Sequence, residues 1–103
     1  MRRRVLWSPI ARSDLLAMVR HIAADNPRAA RTAAAKLRAV GDALGQTNTG
    51  RPGRVSGTYE KSVPGLPYVI AYELFDDESG SEVVAILHVI HTARHWPPGG
   101  WPT

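Results

Sequence analysis

The sequence contains no cysteine and no long hydrophobic run, and each absence excludes a class of protein. Without cysteine, neither disulfides nor thiolate metal sites can form, which suits a reducing cytoplasm. The longest apolar run, at 83–90, is far shorter than the roughly 20 residues that a membrane-spanning helix needs. The basic start at 2–4 is not followed by the apolar stretch of a secretory signal. We therefore predict a cytoplasmic protein with no membrane segment.

Acidic residues are in the minority. Nine acidic residues stand against thirteen basic ones, which gives a net charge of +4, and eleven of the thirteen are arginine. Arginine makes two-pronged contacts with carboxylates and phosphates. This balance favours an anionic partner, either nucleic acid or an acidic protein segment. The alternative interpretation is that these arginines are ordinary solvated surface residues with no binding partner. The 103 residues are enough for one domain.

The first half of the chain predicts a short strand followed by a helical hairpin. Residues 3–7 suit a strand, and Ser8-Pro9 and Asn26-Pro27 each combine an N-cap with a proline at the first helical position. Apolar residues then recur at three- and four-residue spacing in two stripes. The first stripe is Ala11, Leu15, Met18, Val19, Ile22 and Ala23, and the second is Ala30, Ala33, Leu37, Val40 and Leu44.

The second half predicts a loop, three strands and an irregular tail. Residues 45–57 hold four glycines and one proline, which is typical of a loop. We predict a polar exposed strand at 58–63, a half-buried strand at 68–75 and a central strand at 82–91. Residues 92–103 are too rich in proline and glycine for a regular element. The order βααβββ predicts an α+β fold, with an N-terminal strand and a helical hairpin packed on a small antiparallel sheet.

Several segments, in this order, carry a resemblance to a known family. They are Asp14-Leu15, Asn26-Pro27, and the stretches at 50–60, 67–72 and 86–97. With them the chain resembles the ParE/RelE superfamily of toxins from bacterial type II toxin–antitoxin modules. The resemblance implies a single toxin domain at 1–97 with a tail at 98–103. It also implies that the toxin arrests growth and that an acidic, ParD-like antitoxin neutralises it in a hetero-oligomer.

The Gly-Arg-Pro-Gly-Arg segment at 50–54 and the Ala-Arg-His-Trp-Pro segment at 93–97 look more like the ParE branch. ParE-like toxins inhibit DNA gyrase by binding, so the resemblance implies no catalytic residue, no cofactor and no metal. It places target binding on Arg51, Arg54, Arg94, His95 and Trp96. For the antitoxin we predict a surface that contains Arg20, Arg28, Arg31 and Arg38.

Two alternatives stay open. A RelE-like enzyme would cut mRNA on the ribosome, and its candidate catalytic residues would be Arg51, Arg54, Glu60, Lys61, His91 and Arg94. The strand at 68–75 supplies no basic residue, whereas RelE-like nucleases resemble one another in having one there. A toxin fold that has lost its activity and only binds its antitoxin is the second alternative. Tyr59 and Glu73 point to it, because ParE-like chains commonly have basic residues at these positions.

Three features have competing interpretations. Trp96 and Trp101 either fold back over the open face of the sheet or present an aromatic surface to a large target. His88, His91 and His95 are close in sequence, but residues three apart on a strand point to opposite faces, which argues against a shared metal ion. The glycine-rich loop lacks the lysine and hydroxyl pair of a phosphate-binding loop, so we predict no nucleotide site.

Overall fold

A computed structural model describes residues 2–102 as two helices packed on one face of a five-stranded sheet, so Met1 and Thr103 of the predicted domain and tail lie outside the described residues. This arrangement confirms the predicted α+β class. Neither described helix is long and apolar enough to span a bilayer. The elements in chain order are β1 (Arg4–Trp7), α1 (Pro9–Ala23), α2 (Pro27–Ala43), β2 (Arg51–Pro52), β3 (Tyr59–Ser62), β4 (Tyr68–Asp76) and β5 (Glu82–His91).

Both helices begin where the local sequence predicts. The side chain of Ser8 accepts a hydrogen bond from the backbone N–H of Ala11 at 3.0 Å, and Asn26 accepts one from Ala29 at 3.1 Å. A proline follows each cap, at a position where its missing N–H removes no helical hydrogen bond. The predicted stripes then face the sheet. Their buried members are Ala11, Leu15 and Met18 in α1, Ala30, Ala33 and Leu37 in α2, and Leu44 directly after α2.

The sheet is mixed, which corrects the prediction of an antiparallel one. The strand order is β1-β5-β4-β3-β2, and β1 pairs with β5 in parallel while the other pairs are antiparallel. Parallel pairing needs a long crossover connection, and here the helical hairpin and three strands lie between the two partners. The predicted loop at 45–57 also contains the two-residue strand β2, which pairs with β3.

Burial in the sheet differs from the predictions. The middle strand is β4 rather than β5, and its residues Tyr68–Tyr72 are all buried, so β4 is not half-buried there. The strand predicted as exposed buries Thr58, Glu60 and Val63. The physical reason is shared: the helices cover one face of the sheet and the C-terminal tail covers part of the other, so neither face is fully solvated.

An irregularity in β5 decides which side chains face away from the helices. Ala71 pairs with His88 and Tyr72 pairs with Ile86, so Leu87 is an extra residue that forms a bulge. Val89 therefore joins Ile86 in the core beneath the helices. His88 lies on the opposite side, which we call the open face.

The edge of β5 beyond the end of β1 is completed by α1 and its cap. The backbone N–H of Ser8 donates to the carbonyl of Ile86 at 2.9 Å, and the Ser8 hydroxyl donates to that of Leu87 at 3.0 Å. Further along, the Asp14 carboxylate accepts from the N–H of Val89 at 2.9 Å. A side chain of α1 thus supplies the hydrogen bond that a longer β1 would have made.

Candidate functional site

The C-terminal tail folds back over the open face of the sheet. Glu60, Ala71 and His88 are cross-strand neighbours in one row on this face. The Trp101 indole N–H donates to Glu60 Oε2 at 3.3 Å, and the Trp101 ring meets the His88 ring edge-on with 5.3 Å between centroids. A turn at 97–100 reverses the chain, and Pro102 is buried. For Trp101, the interpretation that the tail covers the sheet is therefore the one that the structure supports.

Glu60 lies under this tail and is only 4% exposed, yet both of its carboxylate oxygens have partners. Its Oε1 lies 3.5 Å from Arg51 Nη2. Its Oε2 accepts the backbone N–H of Arg54 at 2.9 Å and lies 3.7 Å from Arg54 Nε. Buried carboxylates are costly unless cations and hydrogen-bond donors compensate them, and here two arginines and an indole do so.

The two arginines are held as flat surface groups. Arg51 also donates from Nη1 to the Ser62 hydroxyl at 3.2 Å, and its side chain stays 58% exposed. The Arg54 guanidinium lies over the Trp96 ring, 4.1 Å from its centroid, in a cation–π contact. We call Arg51, Arg54 and Trp96 the arginine–tryptophan platform. The structure thus brings together three of the five residues expected to bind the target.

Arg94 and His95 adjoin the platform through the tail. Both are exposed in the turn after β5, where the Arg94 N–H donates to the carbonyl of His91 at 3.1 Å. Together with Pro97, Trp101 and Pro102 they line one surface cavity. Arg94 also borders a second cavity that reaches α1. All five predicted target residues therefore lie on or beside the tail-covered part of the molecule.

Of the six candidates for nuclease chemistry, the structure brings together Arg51, Arg54 and Glu60 but not Lys61 and His91. Lys61 pairs with Ile70 and His91 pairs with Tyr68, which places both on the face that carries the helices, opposite to Glu60. His91 Nδ1 accepts the N–H of Ala93 at 2.9 Å, so this nitrogen is engaged within the turn. Within residues 2–102, no three histidine, aspartate or glutamate side chains are grouped to hold a metal ion.

Tyr72 anchors the loop that leads into the platform. Its hydroxyl accepts the N–H of Gly50 at 2.9 Å and donates to Asn48. Burial raises the pKa of Tyr72 above its usual value of 10.0, although the bond from Gly50 opposes this. Tyr59, at a position where a basic residue is common in ParE-like chains, stacks on Tyr72 with 5.4 Å between ring centroids. Its role here is to pack against the buried ring.

A groove on the helical hairpin is the second candidate surface. It is lined by Trp7, Arg12, Leu15, Leu16, Val19, Arg38 and Asp42. Leu16 is 49% exposed, and the Trp7 indole donates to Asp42 Oδ1 at 3.2 Å. The groove therefore offers an apolar floor between two arginines.

The four arginines predicted for the antitoxin are all exposed, but only Arg38 lines this groove. Arg28 and Arg31 continue along the same side of α2, and Arg20 lies on α1 outside the groove lining. Sequence reasoning missed Arg12 and Leu16. A signal was available, because Leu16 lies off the apolar stripe of α1 and four residues after Arg12, which puts the two side by side on the helix.

The comparisons with known proteins agree with this fold. Residues 5–96 match the family model of the ParE toxin of type II toxin–antitoxin system, parDE. The protein named "Putative toxin Y4kP" from Sinorhizobium fredii (strain NBRC 101917 / NGR234) is 34% identical over 97 residues, which cover 93% of this chain and 95% of the relative. A solved structure described as "Chromosomal ParDE TA system from P. aeruginosa" has a TM-score of 0.76 at 20% identity, covering 86% of this chain and 95% of that one.

Proposed function

Because this chain belongs to the ParE toxin family of type II toxin–antitoxin systems, we propose that it inhibits DNA gyrase by binding it through the arginine–tryptophan platform. We further propose that a ParD-like antitoxin neutralises it and binds the groove on the helical hairpin. In this scheme the toxin acts in the cytoplasm as a binding protein, without a cofactor.

The observation that carries the proposal is the arrangement around Glu60. Arg51, Arg54 and Trp96 form a cationic and aromatic surface around a buried carboxylate. Tryptophan and arginine are the residue types that contribute most to protein–protein affinity when they are held in place. A surface of this kind suits docking onto a large protein better than it suits enclosing a small substrate.

The same contacts weigh against the ribosome-dependent nuclease. A general base needs a free acceptor close to the proton that it removes. Glu60 Oε2 already accepts two hydrogen bonds, and Oε1 lies 3.5 Å from the Arg51 guanidinium. His91 and Lys61 lie on the other face of the sheet and do not reach Glu60. Strand β4 contains no basic residue that could stabilise a phosphorane.

The groove on the helical hairpin fits an acidic amphipathic helix. Its exposed Leu16 and half-buried Val19 offer an apolar strip for the helix's apolar face, while Arg12 and Arg38 can pair with flanking carboxylates. Charge pairs of this kind speed association and make it sensitive to salt. A partly disordered acidic antitoxin has both the charge and the adaptability that this surface requires.

The gyrase proposal is tested with purified protein in a supercoiling assay, run beside a reconstituted translation assay. We expect supercoiling to stop and cleaved DNA to accumulate, with mRNA left intact. Trp96→Ala and Arg94→Ala should each weaken inhibition by about tenfold or more, since a truncated hot spot costs roughly 2 kcal/mol. Arg31→Ala is the matched control, because it removes an exposed charge on the helical side. Cleaved mRNA with active gyrase would refute the proposal.

The antitoxin proposal is tested with a purified ParD-like antitoxin, the small acidic protein that we expect to be encoded beside the toxin. Arg38→Ala and Leu16→Ala should each weaken its binding, because they remove one charge pair and one apolar contact from the groove. Arg54→Ala should weaken antitoxin binding less than either of these, because Arg54 lies outside the groove. Titration calorimetry at two salt concentrations measures both effects. Equal loss of affinity in all three variants would contradict the assignment of the groove.

A further inference from the structure

We propose that Glu60 is a positioning residue that fixes the platform, so that the target recognises the geometry of the arginines rather than the positive charge of the surface. This inference rests on the proposed function of the platform. It assigns Glu60 no contact with the target, because the side chain is 4% exposed and lies beneath its partners.

Glu60 connects four separate parts of the chain. It belongs to β3, and its carboxylate holds Arg51 of β2, Arg54 of the following loop and Trp101 of the tail. Arg54 in turn contacts the Trp96 ring through a cation–π interaction. Hydrogen bonds and ion pairs to a charged group are stronger than neutral ones, particularly where water is excluded. One carboxylate therefore sets the positions of two guanidinium groups and both tail tryptophans.

A surface that binds through its charge and a surface that binds through its shape predict opposite effects of Glu60 on affinity. The carboxylate cancels one of the two positive charges of the arginine pair, so for a surface that acted through charge alone Glu60 would be a disadvantage. For a surface that acts through shape, Glu60 is required. Replacing Glu60 by neutral glutamine therefore separates the two explanations by the sign of the effect on affinity.

The two carboxylate oxygens have different partners, which makes Glu60→Gln selective. Oε2 accepts hydrogen bonds from the backbone N–H of Arg54 and from the Trp101 indole, and the glutamine carbonyl can take over this role. The glutamine NH₂ group then replaces Oε1 and faces the Arg51 guanidinium, where two donors meet without an acceptor. Glu60→Gln should thus release Arg51 and leave Arg54 and Trp101 in place.

The binding test compares Glu60→Gln with Glu78→Gln for affinity to purified gyrase. Glu78 is exposed in the hairpin loop between β4 and β5, so its substitution makes the same change in net charge away from the platform. We expect Glu60→Gln to bind about tenfold more weakly and Glu78→Gln to bind like the original chain. Equal or tighter binding by Glu60→Gln would overturn the proposal, since it would show that charge dominates.

A double-mutant cycle with Arg51→Ala distinguishes positioning from a general loss of stability. If Glu60 acts through Arg51, the Glu60→Gln substitution should have almost no further effect on affinity once Arg51 is alanine. A purely structural role would lower affinity by the same factor in both backgrounds. Thermal unfolding of each variant verifies that it is folded at the assay temperature. If Glu60→Gln is unstable, the whole cycle is measured at a lower temperature at which every variant is folded.

A spectroscopic readout makes the inference independent of gyrase. In ¹H–¹⁵N spectra of the free protein, Glu60→Gln should move the Arg51 guanidinium resonances towards those of a solvated arginine and leave the Trp101 indole resonance near its original position. If the original chain does not bind gyrase, the proposed function fails while this result still decides whether Glu60 positions Arg51. Unchanged Arg51 resonances would overturn the positioning role whatever the target.

Discussion

Gly41 of α2 offers a test in which two well-known effects have opposite signs. In an exposed helix interior, replacing glycine by alanine stabilises a protein by about 1 kcal/mol, because glycine has more backbone freedom to lose. Gly41, however, is buried where α2 crosses β1 and β5. A Cβ atom added there would lie 2.5 Å from Cζ2 and 2.7 Å from Cη2 of Trp7, and 3.0 Å from Cδ1 of Ile86.

The surroundings of Gly41 have little freedom to relax. The Trp7 indole is held by its bond to Asp42 and by the pairing of β1 with β5, and Ile86 is fully buried. Overpacking a rigid core costs about 1–3 kcal/mol, and contacts this short place the cost near the upper end. After subtracting the helical gain, Gly41→Ala should destabilise the fold by about 2 kcal/mol, which for a domain of this size lowers Tm by about 10 °C.

Urea denaturation and thermal unfolding measure this effect, with two controls. Ala35→Gly, on the exposed side of α2, should cost about 1 kcal/mol and calibrates the propensity effect in this helix. Adding Trp7→Phe to Gly41→Ala should recover part of the loss, because phenylalanine lacks the ring atoms that clash with the new methyl group. A Gly41→Ala variant more stable than the original chain would refute the packing argument.

Two further predictions concern the partly buried carboxylate of Asp14 and the buried phenols of Tyr68 and Tyr72. Asp14→Ala should lower the unfolding free energy by about 2 kcal/mol because the N–H of Val89 loses a charged acceptor, whereas Asp14→Asn should cost clearly less; equal losses in urea denaturation would contradict this. Burial raises the pKa values of Tyr68 and Tyr72 above 10.0, so the stability that these neutral phenols contribute is complete below about pH 10 and is lost as pH rises through the folded-state values. Absorbance of tyrosinate against pH should show these two groups ionising late, and Tyr72→Phe should remove one of them.

The elements that were predicted correctly are those whose signals are local. Ser8 and Asn26 each cap a helix within three residues of themselves, and the apolar stripes need only the geometry of one helix. All the residues that form such a signal lie within a short stretch of sequence. The helical hairpin and the α+β class therefore follow from the sequence with little information from the rest of the fold.

The elements that were missed depend on partners far along the chain. Nothing near Arg4–Trp7 indicates that this strand will pair in parallel with Glu82–His91, because the pairing follows from where the helical hairpin returns the chain. Glu60 lies in a polar segment and was predicted to be exposed. It is buried because Trp101, far along the chain, folds over it, and it tolerates burial because Arg51 and Arg54 reach it.

The two candidate surfaces lie on opposite faces of the sheet, which limits the ways in which an antitoxin can neutralise the toxin. The groove that contains Leu16 and Arg38 lies on the helical side of the sheet, and the platform lies on the open face. Under the proposed function, an antitoxin helix confined to the groove would leave Arg51, Arg54 and Trp96 accessible to gyrase. Neutralisation then requires one of two arrangements. Either the antitoxin chain continues around the edge of the sheet, or other parts of the toxin–antitoxin assembly sterically block the docking of gyrase. A disordered chain can wrap a large surface, although it pays its ordering entropy on binding. An acidic one is attracted to the exposed Arg51 and Arg54, so the basic open face favours the first of these.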